Sequence, residues 1–250
     1  MGQNGQNRLA SHGYEQHSGK ARAMAARTPR RPRGAEHREA IVASAARAFD
    51  RVGYAGTSLG QVAAAAGTDL PALKSLFPHK RDLARAVIDE QDRRMVAELD
   101  HALLRHGPLE ALIHSSRTIA DEMVTEPLMR AGSRLSMELG AVDPVVAEHY
   151  RAWIEQLTGL FARAQEAGDI TDRIDPADLG ATVQPYLSGV HTLSALLSDR
   201  SDLHARLVVM WRTVIDAAAP LGRRLGLHAV TRDAFGDLPT VERRQVAGAA

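Results

Sequence analysis

No cysteine occurs among the 250 residues. Disulfides, thiolate metal sites and a cysteine nucleophile are therefore excluded. Aromatic residues make up only 4% of the chain. The β-branched and aromatic runs that favour strands are missing, while the abundant Ala and Leu favour helices. No stretch approaches the roughly 18 uninterrupted apolar residues of a membrane span, and the first residues lack the apolar segment of a secretory signal. A soluble, cytoplasmic, all-helical protein without membrane contact is the expectation. Catalytic signatures are missing too: there is no G-x-S-x-G, no phosphate-binding glycine loop and no HExxH. The 11 histidines include no i, i+4 pair; His101 and His106 are five apart. No catalytic residue, metal site or cofactor is expected.

What is present begins with charge. The net charge is only +1, but residues 1–38 hold eight Lys and Arg against Glu15 and Glu36, leaving the remainder mildly acidic. A basic arm on an acidic body suits attraction to a polyanion; a solvated leader without a partner fits the charge equally well. Residues 1–35 are rich in Gly, Gln, Asn, Ser, Pro and Arg and are expected to be disordered. With 44% hydrophobic residues, the rest suffices for a small helical domain and a medium one.

Helical periodicity starts near Glu36, with Ile41, Ala45, Ala48, Phe49 and Val52 on one face and Gly53 as a stop. Ser58, with Gln61 three residues on, predicts a second, short helix that ends by Gly67. Asp69 as N-cap and Pro71 in the first turn predict a third, anchored by Leu73, Leu76 and Phe77 and closed by Pro78. Helix, short helix, tight turn and short helix make a helix-turn-helix domain over 36–82. A long helix is predicted from Lys80 to about His106, then helices near 109–125, 127–139, 144–167, 176–198 and 202–222, separated by Pro, Gly and Asp punctuation. These make up a second domain over 83–224. The tail, 225–250, is predicted to fray or to hold one weak helix.

Residues 39–88 resemble the N-terminal domain of the TetR family. The Ala-rich first helix ends in Phe49, a Gly53-Tyr54 turn follows, Thr57-Ser58 opens the second helix, Ala66-Gly67 makes the turn, and Phe77, Lys80 and Leu83 complete the pattern. Further along, AVIDEQ at 86–91, EPLMRAGSRLSMELG at 126–140, YRAWIEQL at 150–157 and RAQEAGDITDRIDP at 163–176 resemble one branch of that family. This branch comprises the γ-butyrolactone receptors that control antibiotic production in filamentous actinomycetes. The resemblance implies a homodimer with a helix-turn-helix for operator DNA and a helical domain for a small-molecule inducer. It also implies that the long fourth helix couples pocket to DNA.

The chain departs from its relatives in the reading helix. Members of the family begin it Thr-Lys-Gly and carry Tyr and His before the final Phe; those places hold Asp69, Leu70, Pro71, Lys74 and Leu76 here. The candidate DNA-facing residues are Thr57, Ser58, Asp69, Leu70, Lys74, Ser75 and Lys80, with Lys74 and Ser75 keeping the polar readout chemistry. Either the operator differs from the usual one, or DNA binding is weakened and the chain acts through protein contacts or heterodimerisation.

For the pocket, the resemblance places Gln91 and Trp153 against the ligand. It sets Leu187 where other members carry a small hydroxylic residue, with Tyr186 and Ser188 beside it. Met129 joins them because methionine-lined pockets adapt, although Met123, Met129 and Met137 equally suit irregular core gaps. Spacing alone also allows Trp153 as a core aromatic beside Ile154, Leu157 and Phe161. The expected ligand is γ-butyrolactone-, butenolide- or furan-like. Dimerisation is expected on 176–198 and 202–222, through surplus apolar residues including Leu193, Leu196, Leu197, Val208, Val209, Trp211 and Ile215.

Overall fold

Helix boundaries follow the capping chemistry closely. Ser58, Asp69, Asp143 and Asp175 each accept a backbone N–H from the first turn of the helix they open, and Pro occupies the first turn of the helices starting at 108, 127, 144 and 176. The computed structural model describes residues 33–236. Among them are ten helices and no strand: α1 Arg33–Gly56, α2 Leu59–Ala65, α3 Leu70–Leu76, α4 Lys80–Leu103, α5 Pro108–Thr125, α6 Pro127–Gly140, α7 Pro144–Glu166, α8 Pro176–Ser198, α9 Leu203–Ala218 and α10 Leu221–Phe235. The all-helical expectation holds. Residues 1–37 form a unit apart from 38–250, and everything below concerns the second unit. The expected basic arm lies, up to residue 32, outside the described residues.

Gly53 interrupts α1 with φ +71° and ψ −176°. That region is open to glycine alone, and a Cβ there would come within 2.5 Å of Arg134 Nη2. The stop read from Gly53 is thus a sharp turn pressed against α6.

Two apolar clusters form the interior. One joins Ile41, Phe49, Val62, Leu73 and Phe77 of the head to Leu83, Val87 and Ile88 of α4 and to Leu128, Leu135 and Leu139 of α6. The other joins α4 and α5 to α7 through α10 around Phe161, Trp211 and Ile215. The head's core therefore does not end at residue 82; it continues along α4 and onto one face of α6.

The C-terminal region departs from expectation. The single helix expected over 202–222 breaks at Ala219, whose backbone is extended ahead of Pro220. The region read as a tail continues as α10, with Leu227, Thr231 and Phe235 buried. Trp211 and Ile215, expected at a dimer interface, are fully buried in the chain's own core.

Candidate reading head and ligand cavity

The turn between α2 and α3 is held by Thr68 N–H donating to Ala63 O at 3.0 Å across Gly67, whose φ is +69°. Leu73 and Phe77 are buried beneath α3, and the Arg38 guanidinium lies 5.2 Å from the Phe77 ring centroid. Ser58 caps α2 by accepting from Gln61 N at 3.2 Å. Asp69 caps α3 by accepting from Ala72 N at 2.7 Å. Ser75 Oγ donates to Ala72 O at 2.7 Å. Leu70, Pro71, Lys74, Ser75 and Leu76 are exposed.

Two residues expected on the DNA face are engaged inside the protein instead. Thr57 is buried and its hydroxyl donates to Gly53 O at 2.8 Å. Lys80 Nζ donates to Tyr54 O at 2.8 Å and Thr57 O at 3.0 Å and lies 4.5 Å from the centre of the Tyr54 ring. The reason is the end of α1: its last carbonyls lack helical partners and carry the negative end of the helix dipole, which an ammonium neutralises.

α6 grips the same point from another side. Arg130 pairs with Asp50 through Nε and Nη2, the latter at 2.8 Å. Arg134 Nη1 donates to Asp50 O at 3.1 Å, and Glu138 Oε2 accepts from Tyr54 N at 2.7 Å. Arg85 of α4 makes a two-pronged pair with Asp143, at 2.9 and 2.6 Å. That hydrogen-bonded guanidinium holds the Asp143 carboxyl below the usual range.

Between α4–α9 lies a cavity of about 930 Å³, counted out to its mouth. Gln91, Trp153, Leu187 and Ser188 line it, as expected of pocket residues. Met129 and Tyr186 do not. Met129 is fully buried in the core, and Tyr186 faces outward with 37% exposure. Helical spacing explains the latter: Gln184, Leu187, Ser188 and His191 form the inward stripe of α8, and Tyr186 stands off it. The same stripe would have found Gln184 and His191. Ser133 and Ser136 of α6, Asp92 of α4 and His149 of α7 also line the cavity; no motif singled them out. Met123 contributes to the wall, while Met137 is exposed.

The polar groups divide into occupied and open ones. Asp92 accepts from Trp153 Nε1 at 3.2 Å and is paired with His149 Nδ1, so the Trp153 ring meets the cavity with its N–H already used. Trp211 Nε1 donates to Ser116 Oγ at 2.8 Å. Among the described residues no group hydrogen-bonds the Gln91 amide or the His191 ring. Desolvation pushes His191 down to about 4, with the charges of Arg200 and His204 adding to it. It is therefore a neutral imidazole at neutral pH, with one donor and one acceptor. The cavity wall includes Asp92 and no Lys or Arg among the described residues.

Residues 41–87 match the family described as bacterial regulatory proteins, tetR family, and residues 106–220 match the tetracyclin repressor-like C-terminal domain. The chain belongs to the TetR family. Within it, the likeness is to the γ-butyrolactone receptor branch. The A-factor receptor protein of Streptomyces griseus is 28% identical over 185 residues, which cover 73% of this chain and 63% of the receptor; the chain thus matches less than two thirds of that relative's own length. A crystal structure of a γ-butyrolactone receptor (ArpA-like protein) superposes with a TM-score of 0.66 at 28% identity, over 81% of this chain and 97% of that one. The TetR family protein CprB from Streptomyces coelicolor, solved in complex with its biological operator sequence, gives a TM-score of 0.66 at 28% identity, covering 83% of this chain and all of the other. The TetR family is one of regulators, not enzymes, in keeping with the missing catalytic motifs. Among the described residues no helix is long and apolar enough to cross a membrane.

Proposed function

We propose that this chain is a cytoplasmic, ligand-responsive transcriptional repressor that binds operator DNA as a homodimer and releases it when a small molecule fills the cavity. One observation carries this reading: α6 belongs to both sites. Its Ser133 and Ser136 line the cavity, while its Arg130 and Glu138 hold the end of α1 in the head. α4 makes a parallel connection, with Lys80 at the head and Gln91 on the wall, eleven residues or roughly 16 Å apart along the helix axis. Likeness to receptors whose structures concern control of antibiotic production supports antibiotic or secondary-metabolite genes as the targets.

The inducer is a small, mostly apolar molecule with one or two polar groups, of the γ-butyrolactone, butenolide or furan type. Gln91 and His191 are its hydrogen-bonding anchors, and the Trp153 ring and the Leu187 side chain form its apolar wall. A wall with a carboxylate and no cation favours an uncharged ligand over a carboxylate. On DNA, Ser58, Lys74 and Ser75 supply polar contacts, while Asp69 holds α3 in shape. The dimer interface uses the exposed Leu193, Leu196 and Leu197 of α8 and Val209 of α9.

A second reading draws on the engaged polar groups of the head: Thr57, Lys80 and Ser75 bond internally, and Leu70 and Leu76 are exposed. Such a face also suits protein contact or heterodimerisation. A gel shift with the DNA upstream of this gene, at low and moderate salt, separates the two. Retardation that a synthetic γ-butyrolactone reverses supports the repressor; no retardation at low salt refutes it.

A further inference from the structure

We infer that α3 reads its operator chiefly through thymine methyl groups, with Leu70 and Pro71 as the contacting side chains and Lys74 as the lone donor beside them. The inference rests on the DNA-binding reading above and goes beyond it, since it names what the head selects.

The argument is one of elimination on the outer face of α3. Leu73 points inward and is fully buried, so the helical repeat turns Leu70, Pro71, Lys74 and Ser75 outward; all four are exposed. Asp69 is committed to capping Ala72 N. Ser75 donates its hydroxyl proton to Ala72 O. Thr57 and Lys80, the nearest other hydrogen-bonding groups, are bonded to the end of α1. What remains to meet base edges is the Leu70 side chain, the Pro71 ring and one ammonium. In the major groove only thymine presents a carbon surface, its C5-methyl; every other feature is a hydrogen-bond donor or acceptor. Seating Leu70 on cytosine N4 or adenine N6 would bury a donor without a partner. Leu70, 38% exposed on an isolated head, gains by burial only where a methyl faces it.

The test varies the DNA and leaves the protein's fold untouched. The full chain is first used to select a preferred duplex from a random pool. Each thymine of that duplex is then replaced in turn by deoxyuridine, which lacks only the methyl, and affinity is measured by fluorescence anisotropy. The expected result is a loss on the order of fourfold at one or two thymines per half-site, the factor corresponding to one methyl-sized burial. With Leu70→Ala the parent duplex binds more weakly, and the deoxyuridine penalty at the Leu70 position shrinks toward none. Uniform affinity across all deoxyuridine duplexes overturns the inference, as does an undiminished penalty in Leu70→Ala. If no preferred duplex emerges, the DNA-binding reading itself fails and takes this inference with it.

Discussion

Gly132 is where a single methyl group tests the link between cavity and head. It sits on α6 against Gln91 of α4, and a Cβ added there would overlap the Gln91 amide and come 2.7 Å from Gln91 Cβ. The amide is a flexible end and can swing away, but Gln91 Cβ is fixed to the α4 backbone. Restoring ordinary contact at 3.4 Å requires α4 and α6 to part by roughly 0.7 Å, a shift that close-packed interiors resist. Overpacking of this kind costs about 1–3 kcal/mol. Removing a helical glycine also stabilises by about 0.5–1 kcal/mol, so a reference is needed. Gly159 of α7 supplies it, because it is helical and exposed, and a methyl added there would meet nothing within 4 Å. Gly159→Ala should raise the melting temperature slightly. Gly132→Ala should melt below it by about 2–12 °C, taking about 2–4 °C per kcal/mol for a chain of this size. Because the displaced Gln91 amide enters the cavity and both displaced helices hold the head, Gly132→Ala should also weaken operator binding without ligand and blunt the response to ligand. Equal melting temperatures for the two variants, with normal DNA binding and induction in Gly132→Ala, would refute the close α4–α6 contact and the coupling built on it.

Trp153→Ala removes a wall of the cavity but no bond to the head, so operator affinity should persist in gel shifts while the inducer loses effect; release at an unchanged ligand concentration would make Trp153 a core residue only. Lys80→Met strands carbonyls of Tyr54 and Thr57 at the end of α1 and should cost about 1–3 kcal/mol. Hydrogen exchange should quicken in α1 and α2, whereas the salt dependence of any DNA binding should stay the same; a reduced salt slope would return Lys80 to the DNA face. His191 takes up protons more readily unfolded than folded, since its folded value is about 4 against an ordinary 6.5. Stability should therefore fall as pH drops from about 6.5 toward 4, a window shared with His114 and His204, both held low chiefly by burial. Denaturant midpoints of His191→Gln should show a shallower decline across that window, and an unchanged slope would contradict the buried, neutral imidazole. Leu196→Glu places a charge on a side chain 75% exposed in the single chain, so the fold should survive while light scattering reports a monomer; a persistent dimer would move the interface off this part of α8.

The helices were legible because their punctuation is chemical. Ser58, Asp69, Asp143-Pro144 and Asp175-Pro176 cap or open helices by bonds that hold whatever the chain packs against. Pro220 was passed over because the apolar period of α9 runs into α10 with little change of composition, and the break shows only in the extended backbone of Ala219. In the cavity, Gln91, Trp153, Leu187 and Ser188 were legible through resemblance, and His191 through a spacing not followed far enough. Asp92 and His149 were not legible, because their pairing joins residues 57 apart in the chain. Nor was the role of Lys80: a lysine opening a helix near a reading head looks like a phosphate contact until the carbonyls of Tyr54 and Thr57 are seen converging on it.

Those carbonyls bear on how a switch of this size can work. The end of α1 is held by Lys80 from α4 and by Arg130, Arg134 and Glu138 from α6. Hydrogen bonds to charged groups contribute about 1.5–3 kcal/mol each, and the half-exposed Arg134–Glu138 pair contributes much less. Taking a population from 1:99 to 99:1 needs about 5.5 kcal/mol of differential affinity. The two strongest links on α6, Arg130 to Asp50 and Glu138 to Tyr54 N–H, together reach roughly 3–6 kcal/mol. On the proposed reading, a ligand against Ser133 and Ser136 on the cavity face need not unfold anything. It has only to hold α6 where those two links no longer fit while Lys80 keeps its own. The head then follows α4 alone, and the spacing between the two heads of a dimer changes without either head losing its core.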